Sequence, residues 1–336
     1  AFFMRRFGRR AGFILGGVFG TFSALLSAYA VNEGMFWLFV FSSLLFGAFN
    51  ASAQYYRFAA VDGAPERVRA RAISFVMAGG VIAAFAGPEI AKHTRDLFEP
   101  VLYLGAYLAV AVISVLACGL LFFLRIPPLT AAQRAETGRP LSQIMAQPAF
   151  IAAVVSAVVG YATMSFLMTA TPLAMQVCGF AFDPTATVIQ FHVLAMFLPS
   201  FFTGNIINRF GVEKVIATGL VILAGAGMVA LAGVDLLNFY GALFLLGIGW
   251  NFGYIGATSM LAGAHSVAER SRVQGMNDFA VFGLVTVASV SSGGLMNCWG
   301  GDPQTGWAAV NWAMIPFLSL AGAALIWFAL RKPEAA

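Results

Sequence analysis

The sequence predicts an all-α membrane protein, and three features of the chain support this prediction. Of its 336 residues, 60% are apolar and only 10% are charged, whereas soluble domains average about 45–50% and about 25%. The apolar residues form ten stretches of more than 20 residues, the length that crosses a bilayer core as a helix. Most of the 36 glycines lie inside these apolar runs, as in membrane helices. This composition excludes a disordered chain, a disulfide-stabilised scaffold and a water-soluble enzyme.

Helices are the only open-ended structure that spans lipid, because lipid cannot satisfy a free strand edge. In chain order the predicted segments are Ala11–Val31, Phe36–Phe58, Ala72–Lys92, Val101–Arg125, Pro148–Thr171, Thr185–Asn208, Glu213–Asp235, Asn238–Gly263, Gln274–Asn297 and Thr305–Leu330. The longest cytoplasmic gap, residues 126–147, contains Pro127-Pro128 and is typical of a linker. The predicted domains are therefore a half-bundle of four segments at 1–125, the linker at 126–147, and a six-helix bundle at 148–336.

The positive charges predict how these segments are oriented. Of the 19 Lys and Arg residues, 17 lie at the termini or in alternate gaps, and only Lys92 and Arg95 lie in the other gaps. Because cytoplasmic loops carry the excess of positive charge, both termini are predicted in the cytoplasm. We expect the membrane to be a bacterial inner (plasma) membrane. No predicted helix carries a basic stripe, so we expect no nucleic-acid partner despite the net charge of +5.

Two short motifs recur along the chain with the same offset. Arg6-Phe7-Gly8 recurs as Arg209-Phe210-Gly211, and Glu66-Arg67-Val68-Arg69 recurs as Glu269-Arg270-Ser271-Arg272, both shifted by 203 residues. One shared offset, each time at a cytoplasmic gap, predicts two parallel repeats related by an axis along the membrane normal. Pro148, which opens the second half, maps to position −55. We therefore expect two further helices, in about 55–65 residues, ahead of the first residue.

Across essentially its whole length, the chain resembles the major facilitator superfamily. The stretch Arg5–Arg10 resembles the basic part of the family's signature loop after its second helix, and Gly204–Gly211 resembles the same loop in the other half. Gly87-Pro88 partly resembles the Gly-Pro motif of the family's fifth helix, whereas Ser43 stands where drug exporters usually carry arginine. The resemblance implies a helical bundle, of which helices three to twelve are present. It also implies secondary transport of a small organic solute by alternating access.

Two segments carry polar residues along one face. In the second segment, the face consists of Ser43, Gly47, Asn50, Gln54 and Arg57, spaced by four, three, four and three. In the eighth segment, the face consists of Gly247, Asn251, Tyr254 and Thr258. The resemblance makes these the family's fourth and tenth helices, which line the central cavity in relatives.

We predict that some residues of these two faces contact the solute. The predicted solute-binding residues are Asn50, Gln54, Asn251 and Tyr254, with Trp250 at the wall and Tyr161 and Ser165 as a third stripe on the fifth segment. Amides offer donors and an acceptor, and aromatic rings offer stacking. An alternative stays open, because amides and small residues also hold membrane helices together by hydrogen bonds.

Four charged residues are candidates for coupling or gating. Glu89 lies near the outer end of its helix and is predicted either to carry a proton or to form an ion pair with Lys92. Asp278 lies in the first turns of the ninth segment, where it either latches the cytoplasmic end or couples protons. Arg6 and Arg209 occupy the two signature-like loops, and the resemblance implies that they hold the cytoplasmic side closed. The alternative for both arginines is a positive-inside anchor.

No metal or cofactor is predicted. The histidines His93, His192 and His265 have no partner at ligand spacing, and the chain contains no nucleotide-binding Gly-x-x-x-x-Gly-Lys-Ser/Thr string. ATP drive would therefore require another chain, and we expect a proton or another cation to drive transport. We also expect a monomer, with a small solute and the bilayer as its partners. Cys178 and Cys298 are both predicted outside, where a disulfide is permitted. Two other readings stay open, namely a fragment that does not transport and an intramembrane enzyme.

Overall fold

A computed structural model describes residues 2–61, 65–124, 126, 138–266, 268–298 and 303–331. Over these residues the chain folds into helices and turns, without strands, which confirms the all-α prediction. Within the described ranges, ten spans are long and apolar enough to cross a membrane. They are Arg9–Asn32, Phe36–Ala59, Arg67–Thr94, Leu104–Phe122, Pro148–Val177, Phe182–Phe210, Val212–Leu231, Leu236–Gly263, Arg270–Met296 and Thr305–Arg331.

The chain forms two compact units. Unit one comprises Ala1–Asp62 and Phe85–Glu136, and unit two comprises Gly63–Ala84 and Thr137–Ala336. Residues 63–84, which precede the predicted linker in sequence, thus belong to the unit that holds the later helices. The predicted division of the chain at 126–147 stays a prediction, and positions 127–137 of the linker lie outside the described residues.

Unit one is built around a helix rich in small residues. Its helices are α1 (Phe2–Phe7), α2 (Arg9–Asn32), α3 (Phe36–Gln54), α4 (Tyr56–Ala59), the later part of α6 (Gly80–Thr94) and α7 (Leu104–Phe122). Helix α2 packs against both α3 and α7. The Ser23 hydroxyl donates to the Ser42 carbonyl at 2.7 Å, and the Ser27 and Ser42 hydroxyls lie 2.7 Å apart. Small residues and hydroxyl bonds therefore hold α2 against α3, as is usual between membrane helices.

Unit two holds the larger core. Its helices are α5 (Glu66–Ala78), the first residues of α6, α8 (Leu141–Met145), α9 (Pro148–Val177), α10 (Phe182–Phe197), α11 (Ser200–Phe210), α12 (Val212–Leu231), α13 (Leu236–Gly263), α14 (Arg270–Cys298), α15 (Pro303–Trp312) and α16 (Met314–Arg331). Helix α13 is central and packs against α9, α10 and α12. Helix α9 begins with Pro148, whose missing N–H has no helical acceptor at this position anyway.

Several predicted segments are interrupted helices. The segment predicted at Thr185–Asn208 breaks after Phe197, because Pro199 cannot donate the hydrogen bond that would continue α10. The segment predicted at Phe36–Phe58 likewise breaks at Tyr55, between α3 and α4. Each break leaves backbone groups for neighbouring helices to satisfy.

The repeated Arg-Phe-Gly motif has the same backbone conformation at both positions. Gly8 has φ 87° and ψ 160°, and Gly211 has φ 90° and ψ 150°. Essentially only glycine adopts this region, so the motif requires glycine to end one helix and begin the next. The two positions differ by the predicted offset of 203 residues, which supports the internal repeat.

Candidate functional site

Four aromatic side chains of unit two lie at the same depth along their spans. At 1.5 Å per residue, Tyr161 lies about 20 Å from the start of α9, and Phe282 lies about 18 Å from the start of α14. Trp250 lies about 20 Å from the end of α13, and Phe197 lies about 20 Å from the end of α11. All four distances are measured from the predicted cytoplasmic ends. The rings are therefore near the middle of spans that cross a core of about 30 Å.

These rings and Tyr254 form one contact network, which we call the aromatic cluster. The Trp250 and Tyr254 rings stack, with centroids 4.9 Å apart and an interplanar angle of 23°. Tyr161 meets both edge-on, at 5.6 Å and 5.1 Å. Phe282 lies 5.4 Å from Tyr161, and Phe197 lies 5.8 Å from Trp250. Three of the predicted solute residues, Tyr161, Trp250 and Tyr254, are thus brought together.

One polar atom in the aromatic cluster lacks a hydrogen-bond partner in the described part of the chain. Trp250 is 2% exposed, and its indole Nε1 finds no hydrogen-bond acceptor among the described residues. A buried donor without an acceptor costs about 1–3 kcal/mol. Tyr161, Phe197 and Phe282 keep part of their surface accessible. The cluster therefore combines aromatic faces with one N–H that a carbonyl-bearing ligand would satisfy.

Asn251, the neighbour of Trp250, is fully buried and joins α13 to the break between α10 and α11. Its amide nitrogen donates to the Met196 carbonyl and the Ser200 hydroxyl, both at 2.6 Å. The Thr203 hydroxyl lies 2.6 Å from the amide oxygen and 2.8 Å from the Pro199 carbonyl, which share its single hydrogen. Both amide N–H groups of Asn251 are therefore engaged within the protein. This favours the helix-bridging alternative for Asn251, and its contact with solute stays a prediction.

The same crossing depends on close approach one turn earlier. A Cβ at Gly247 would lie 2.6 Å from the His192 carbonyl and 2.8 Å from the Ala195 Cβ. His192 is fully buried, and its Nδ1 lies 2.7 Å from the Leu243 carbonyl. Gly247, His192 and Asn251 together fix how α13 packs against α10. This contact fixes the position from which Trp250 extends.

The predicted polar face of α3 is a connected ladder. The Gln54 amide donates to the Asn50 side-chain oxygen at 3.5 Å, and the Arg57 guanidinium donates to the Gln54 oxygen at 2.7 Å. Asn50 is exposed, whereas Arg57 is 2% exposed and lies 4.6 Å from the centre of the Phe58 ring. Asn50 and Gln54 lie one turn apart on α3, and Arg57, which follows the break in α4, reaches Gln54 from there. Whether Asn50 and Gln54 contact solute stays a prediction.

Ser165 lies one turn beyond Tyr161 on α9. Its carbonyl accepts a hydrogen bond from the Thr169 hydroxyl at 2.8 Å, and its side chain is half-buried. Its predicted contact with solute, like that of the aromatic residues, stays a prediction.

Among the coupling candidates, Glu89 forms the ion pair that was the alternative to proton carriage. Its carboxylate lies 3.0 Å from the Lys92 amine, and its side chain is 47% exposed. His93 Nδ1 lies 2.8 Å from the Glu89 carbonyl oxygen. The group is thus an exposed, locally paired carboxylate near the end of α6.

The remaining candidates differ in their surroundings. Asp278 is 9% exposed and accepts a hydrogen bond from the Asn277 amide at 3.1 Å. Arg209 is exposed, with its guanidinium 5.2 Å from the centre of the Phe210 ring. The backbone of Arg6 belongs to α1, but its side chain lies outside the described residues, as does that of Cys298. Gating by Asp278, Arg6 and Arg209 and the Cys178–Cys298 disulfide stay predictions.

One buried, charged contact of unit two was not predicted from the sequence. Glu269 is 2% exposed, and its carboxylate accepts from the Arg139 guanidinium at 2.7 Å and 2.8 Å. The backbone N–H groups of Arg139 and Ser266 donate to the same carboxylate at 2.8 Å and 2.9 Å. The hydrogen bonds from Arg139 hold the pKa of Glu269 well below its usual range, and the same contact raises the pKa of Arg139. We call this contact the Arg139–Glu269 clamp.

One signal in the sequence marks the clamp. Glu269 opens the second copy of the repeated Glu-Arg-x-Arg motif, and Arg139 lies in the predicted linker. The motif identifies the acid, but nothing in the spacing identifies a cation 130 residues away as its partner.

Comparisons with known proteins identify the family of this chain. The family model described as Major Facilitator Superfamily matches residues 1–198. The riboflavin transporter RfnT of Brucella anthropi is 45% identical over 322 residues, which cover 95% of this chain and 79% of RfnT. The uncharacterized MFS-type transporter YddS of Bacillus subtilis is 31% identical over 319 residues, covering 87% of this chain and 70% of YddS.

Solved structures share the fold at low sequence identity. The fucose:proton symporter FucP of E. coli has a TM-score of 0.67 at 16% identity, covering 96% of this chain and 85% of FucP. The human organic anion transporter MFSD10 has a TM-score of 0.68 at 14% identity, covering 93% and 77%. The family and the matched relatives are transporters, which excludes the intramembrane-enzyme reading. The chain belongs to the major facilitator superfamily and is an integral membrane transporter.

Proposed function

We propose that this protein transports a flat heteroaromatic solute of the flavin class, with riboflavin as the first candidate. The observation that carries the proposal is the aromatic cluster at midspan, with the indole N–H of Trp250 unpaired among the described residues. The similarity to the riboflavin transporter RfnT supports the same solute.

The chemistry of a flavin matches this cluster. Its fused rings present a flat face that stacks on aromatic side chains or meets their edges. Its ring carbonyls are hydrogen-bond acceptors, and Trp250 offers a donor with no acceptor of its own in the described protein. Tyr161 has accessible surface beside this donor and contacts three other rings of the cluster. We therefore assign stacking on the solute to Tyr161 and carbonyl recognition to Trp250, whereas Tyr254, which is 1% exposed and stacks on Trp250, is proposed to hold the indole in place.

The other predicted solute residues are assigned different roles. Asn50 and Gln54 have accessible amide groups on α3 and are proposed to contact the hydroxyl chain of the solute. Ser165 is proposed for the same role on α9. Asn251 is assigned the position of α13 rather than a solute contact, because both of its N–H groups are engaged.

Transport is proposed to proceed by alternating access, with the solute site near the bilayer midplane. The proposed drive is a proton or another cation, with Glu89 and Asp278 as candidate carriers, and Arg209 and Arg6 as candidate gates. Both termini are proposed to be cytoplasmic, the membrane to be a bacterial plasma membrane, and the protein to act as a monomer.

The substrate is tested by reconstituting the chain in lipid vesicles and measuring riboflavin uptake by its own fluorescence. Saturable uptake is expected. Trp250→Phe keeps a ring but removes the N–H, so the apparent affinity should fall about tenfold, the equivalent of one lost hydrogen bond. Trp312→Phe is the matched control, because Trp312 is 59% exposed and outside the cluster. Absence of both binding and uptake by the parent protein rejects the flavin class, whereas equal affinity in the two variants rejects the site.

The drive is tested in the same vesicles by imposing a proton or a sodium gradient with the membrane potential clamped. Accumulation above the external riboflavin concentration is expected with one of the two gradients. Asp278→Asn should abolish accumulation while preserving riboflavin exchange if Asp278 carries the cation, and Glu89→Gln gives the corresponding test for Glu89. Uptake that only equilibrates under every gradient would contradict coupling.

A further inference from the structure

An open cavity lies between the start of α5 and the end of α11, away from the aromatic cluster. Its volume is about 620 Å³, and it is lined by Arg67, Val68, Arg71 and Asn208. This volume is in the range of small-molecule sites, about 300–1,000 Å³. Because one membrane span begins at Arg67 and another ends at Phe210, the cavity lies at the membrane boundary. The Lys and Arg distribution predicts that this boundary is the cytoplasmic one.

The walls of the cavity are held together by backbone contacts. A Cβ at Gly204 would lie 2.8 Å from the Ala70 carbonyl oxygen and from the Arg71 Cα, so α11 approaches the backbone of α5 directly. One turn later, the Asn208 amide donates to the Arg67 carbonyl at 3.2 Å. Arg67 and Arg71 are four residues apart and therefore share one face of α5. The two cations are thus presented at a fixed seam between two helices.

Among the described residues that line the cavity, none neutralises these two cations. Asn208 is an amide and Val68 is apolar, so the described walls carry two positive charges and no carboxylate. Within the part of the chain that the structure describes, neither Arg67 nor Arg71 forms an ion pair. Guanidinium groups match the geometry of phosphate oxygens and bind them by paired hydrogen bonds. The cavity therefore fits an anion such as a phosphate.

Apolar side chains continue both walls away from the charges. Phe75 lies one turn beyond Arg71 on α5 and is 63% exposed. Phe201 lies two turns before Asn208 on α11 and is 44% exposed. Both lie farther into spans that are apolar enough to cross the membrane than the residues that line the cavity. An anion that carries acyl chains would satisfy the arginines and cover these rings together, whereas a free anion would leave the rings uncovered.

We propose that this cavity binds the phosphate headgroup of an anionic phospholipid. The Arg67 and Arg71 guanidinium groups pair with the phosphate, the second N–H of the Asn208 amide donates to it, and the acyl chains lie along Phe75 and Phe201. Basic pockets between transmembrane helices at the cytoplasmic surface are suited to such headgroups. The bound lipid bridges α5 and α11, so it stabilises their contact.

The test compares the thermal unfolding of the full chain in micelles supplemented with phosphatidylglycerol or with phosphatidylcholine. Phosphatidylglycerol should raise the unfolding temperature of the parent protein, and phosphatidylcholine should not. The double variant Arg67→Gln/Arg71→Gln should lose most of this increase, and its apparent affinity for phosphatidylglycerol should fall at least about tenfold. The matched control Lys214→Gln/Arg331→Gln removes two exposed cations outside the cavity and should keep the increase.

A second variant keeps the test decisive if the double variant folds poorly. Asn208→Asp places a carboxylate beside both arginines, so it should remove the response to phosphatidylglycerol. The variant loses the hydrogen bond that the Asn208 amide donates to the Arg67 carbonyl, but its ion pairs with Arg67 and Arg71 replace this contact, so the unfolding temperature in phosphatidylcholine should stay near that of the parent protein. Inorganic phosphate and glycerol phosphate are tested in parallel. If either reproduces the whole increase, the site binds a free anion and the lipid assignment is wrong. Equal responses in the cavity variants and the control, or no response in the parent protein, also overturn it.

Discussion

Helices α3 and α13 carry polar faces of nearly the same spacing, yet their surroundings are opposite. Asn50 on α3 is exposed, and its only described side-chain hydrogen bond is a long one of 3.5 Å to Gln54. Asn251 on α13 is fully buried and makes three contacts of 2.6 Å with the α10–α11 break. The periodicity of a helix indicates which residues share a face. It does not indicate what covers that face.

The difference has a local cause on the partner helix. The break at Pro199 leaves the Met196 carbonyl and the Ser200 hydroxyl facing α13, and the Asn251 amide satisfies both. No corresponding bond to Asn50 is present among the described residues of unit one. The same residue type therefore acts as a bridge between helices in one region and as an accessible amide in the other.

The largest expected loss in the free energy of unfolding comes from removing the buried hydrogen bonds of Asn251, which we call the buried network. Asn251→Ala leaves the Met196 carbonyl, the Ser200 hydroxyl and the Thr203 hydroxyl without their amide partner in an apolar span. We expect a loss of about 2 kcal/mol in the free energy of unfolding, at the upper end of measured values between membrane helices. Thermal unfolding of the purified protein measures it. Unchanged stability together with weakened riboflavin affinity would reverse the assignment and make Asn251 a solute ligand.

A smaller loss of stability is expected when a buried charged group, Glu269, is compared with an exposed one, Glu89. Glu269→Gln removes the charge of a buried carboxylate that accepts four hydrogen bonds, whereas Glu89→Gln changes a half-exposed ion pair. We expect Glu269→Gln to lower the unfolding temperature by roughly half as much as Asn251→Ala, because Arg139 stays accessible to water. Glu89→Gln is the matched control and should leave the unfolding temperature nearly unchanged.

Comparing the parent protein with Glu269→Gln also gives a pH dependence with a defined sign. The folded-state pKa of Glu269 is lowered, so the clamp stabilises the protein above the usual carboxyl pKa of 4.5, and this stabilisation is lost as the pH falls below it. The difference in unfolding temperature between the parent protein and Glu269→Gln should be full at pH 7 and shrink below about pH 4.5. A difference that is constant over this range would contradict the clamp.

Much of the fold, but only part of the candidate site, follows from the sequence. The ten spans follow from runs of apolar residues, and the Arg-Phe-Gly repeat marks two glycines with φ 87° and 90°. These are local properties, encoded within a few turns. The partners of Asn251 lie 48 to 55 residues away, and Arg139 lies 130 residues from Glu269. Such pairings depend on which helices pack against each other, and helical periodicity does not predict this packing.

The aromatic cluster could be predicted in part from the sequence. Trp250 and Tyr254 are four residues apart and stack within one helix, so their proximity follows from the sequence. Phe282 and Phe197 were not predicted, because single aromatic residues in apolar spans look like core packing. Counted from the observed helix ends, the four residues Tyr161, Phe197, Trp250 and Phe282 lie 12 or 13 residues in. Counted from the predicted ends at Asn208 and Gln274, Phe197 and Phe282 lie only 11 and 8 residues in, so the predicted boundaries hide this equal depth.

Removing one hydroxyl from the buried network should give the next smaller loss in the free energy of unfolding. Thr203→Val deletes one of the three contacts of Asn251 and keeps the shape of the side chain. We expect a loss of about 0.6 kcal/mol, the average for interhelical hydrogen bonds in a membrane protein. Combined with Asn251→Ala, the loss should be less than the sum, because both substitutions remove the same bond. Strict additivity in this double-mutant cycle would show that the two side chains act independently.

The smallest effect on stability is expected on α3. Asn50→Ala removes an exposed amide whose described hydrogen bond to Gln54 is 3.5 Å long, so the free energy of unfolding should change by less than about 0.5 kcal/mol. If Asn50 contacts the solute, the same substitution should still weaken riboflavin affinity in vesicles, and affinity and stability would then respond independently. Ser43→Ala, also exposed on this face and bonded only within its own helix, is the control that should change neither quantity. A stability loss as large as that of Asn251→Ala would mean that Asn50 is covered in the membrane, and the contrast between the two helices would fail.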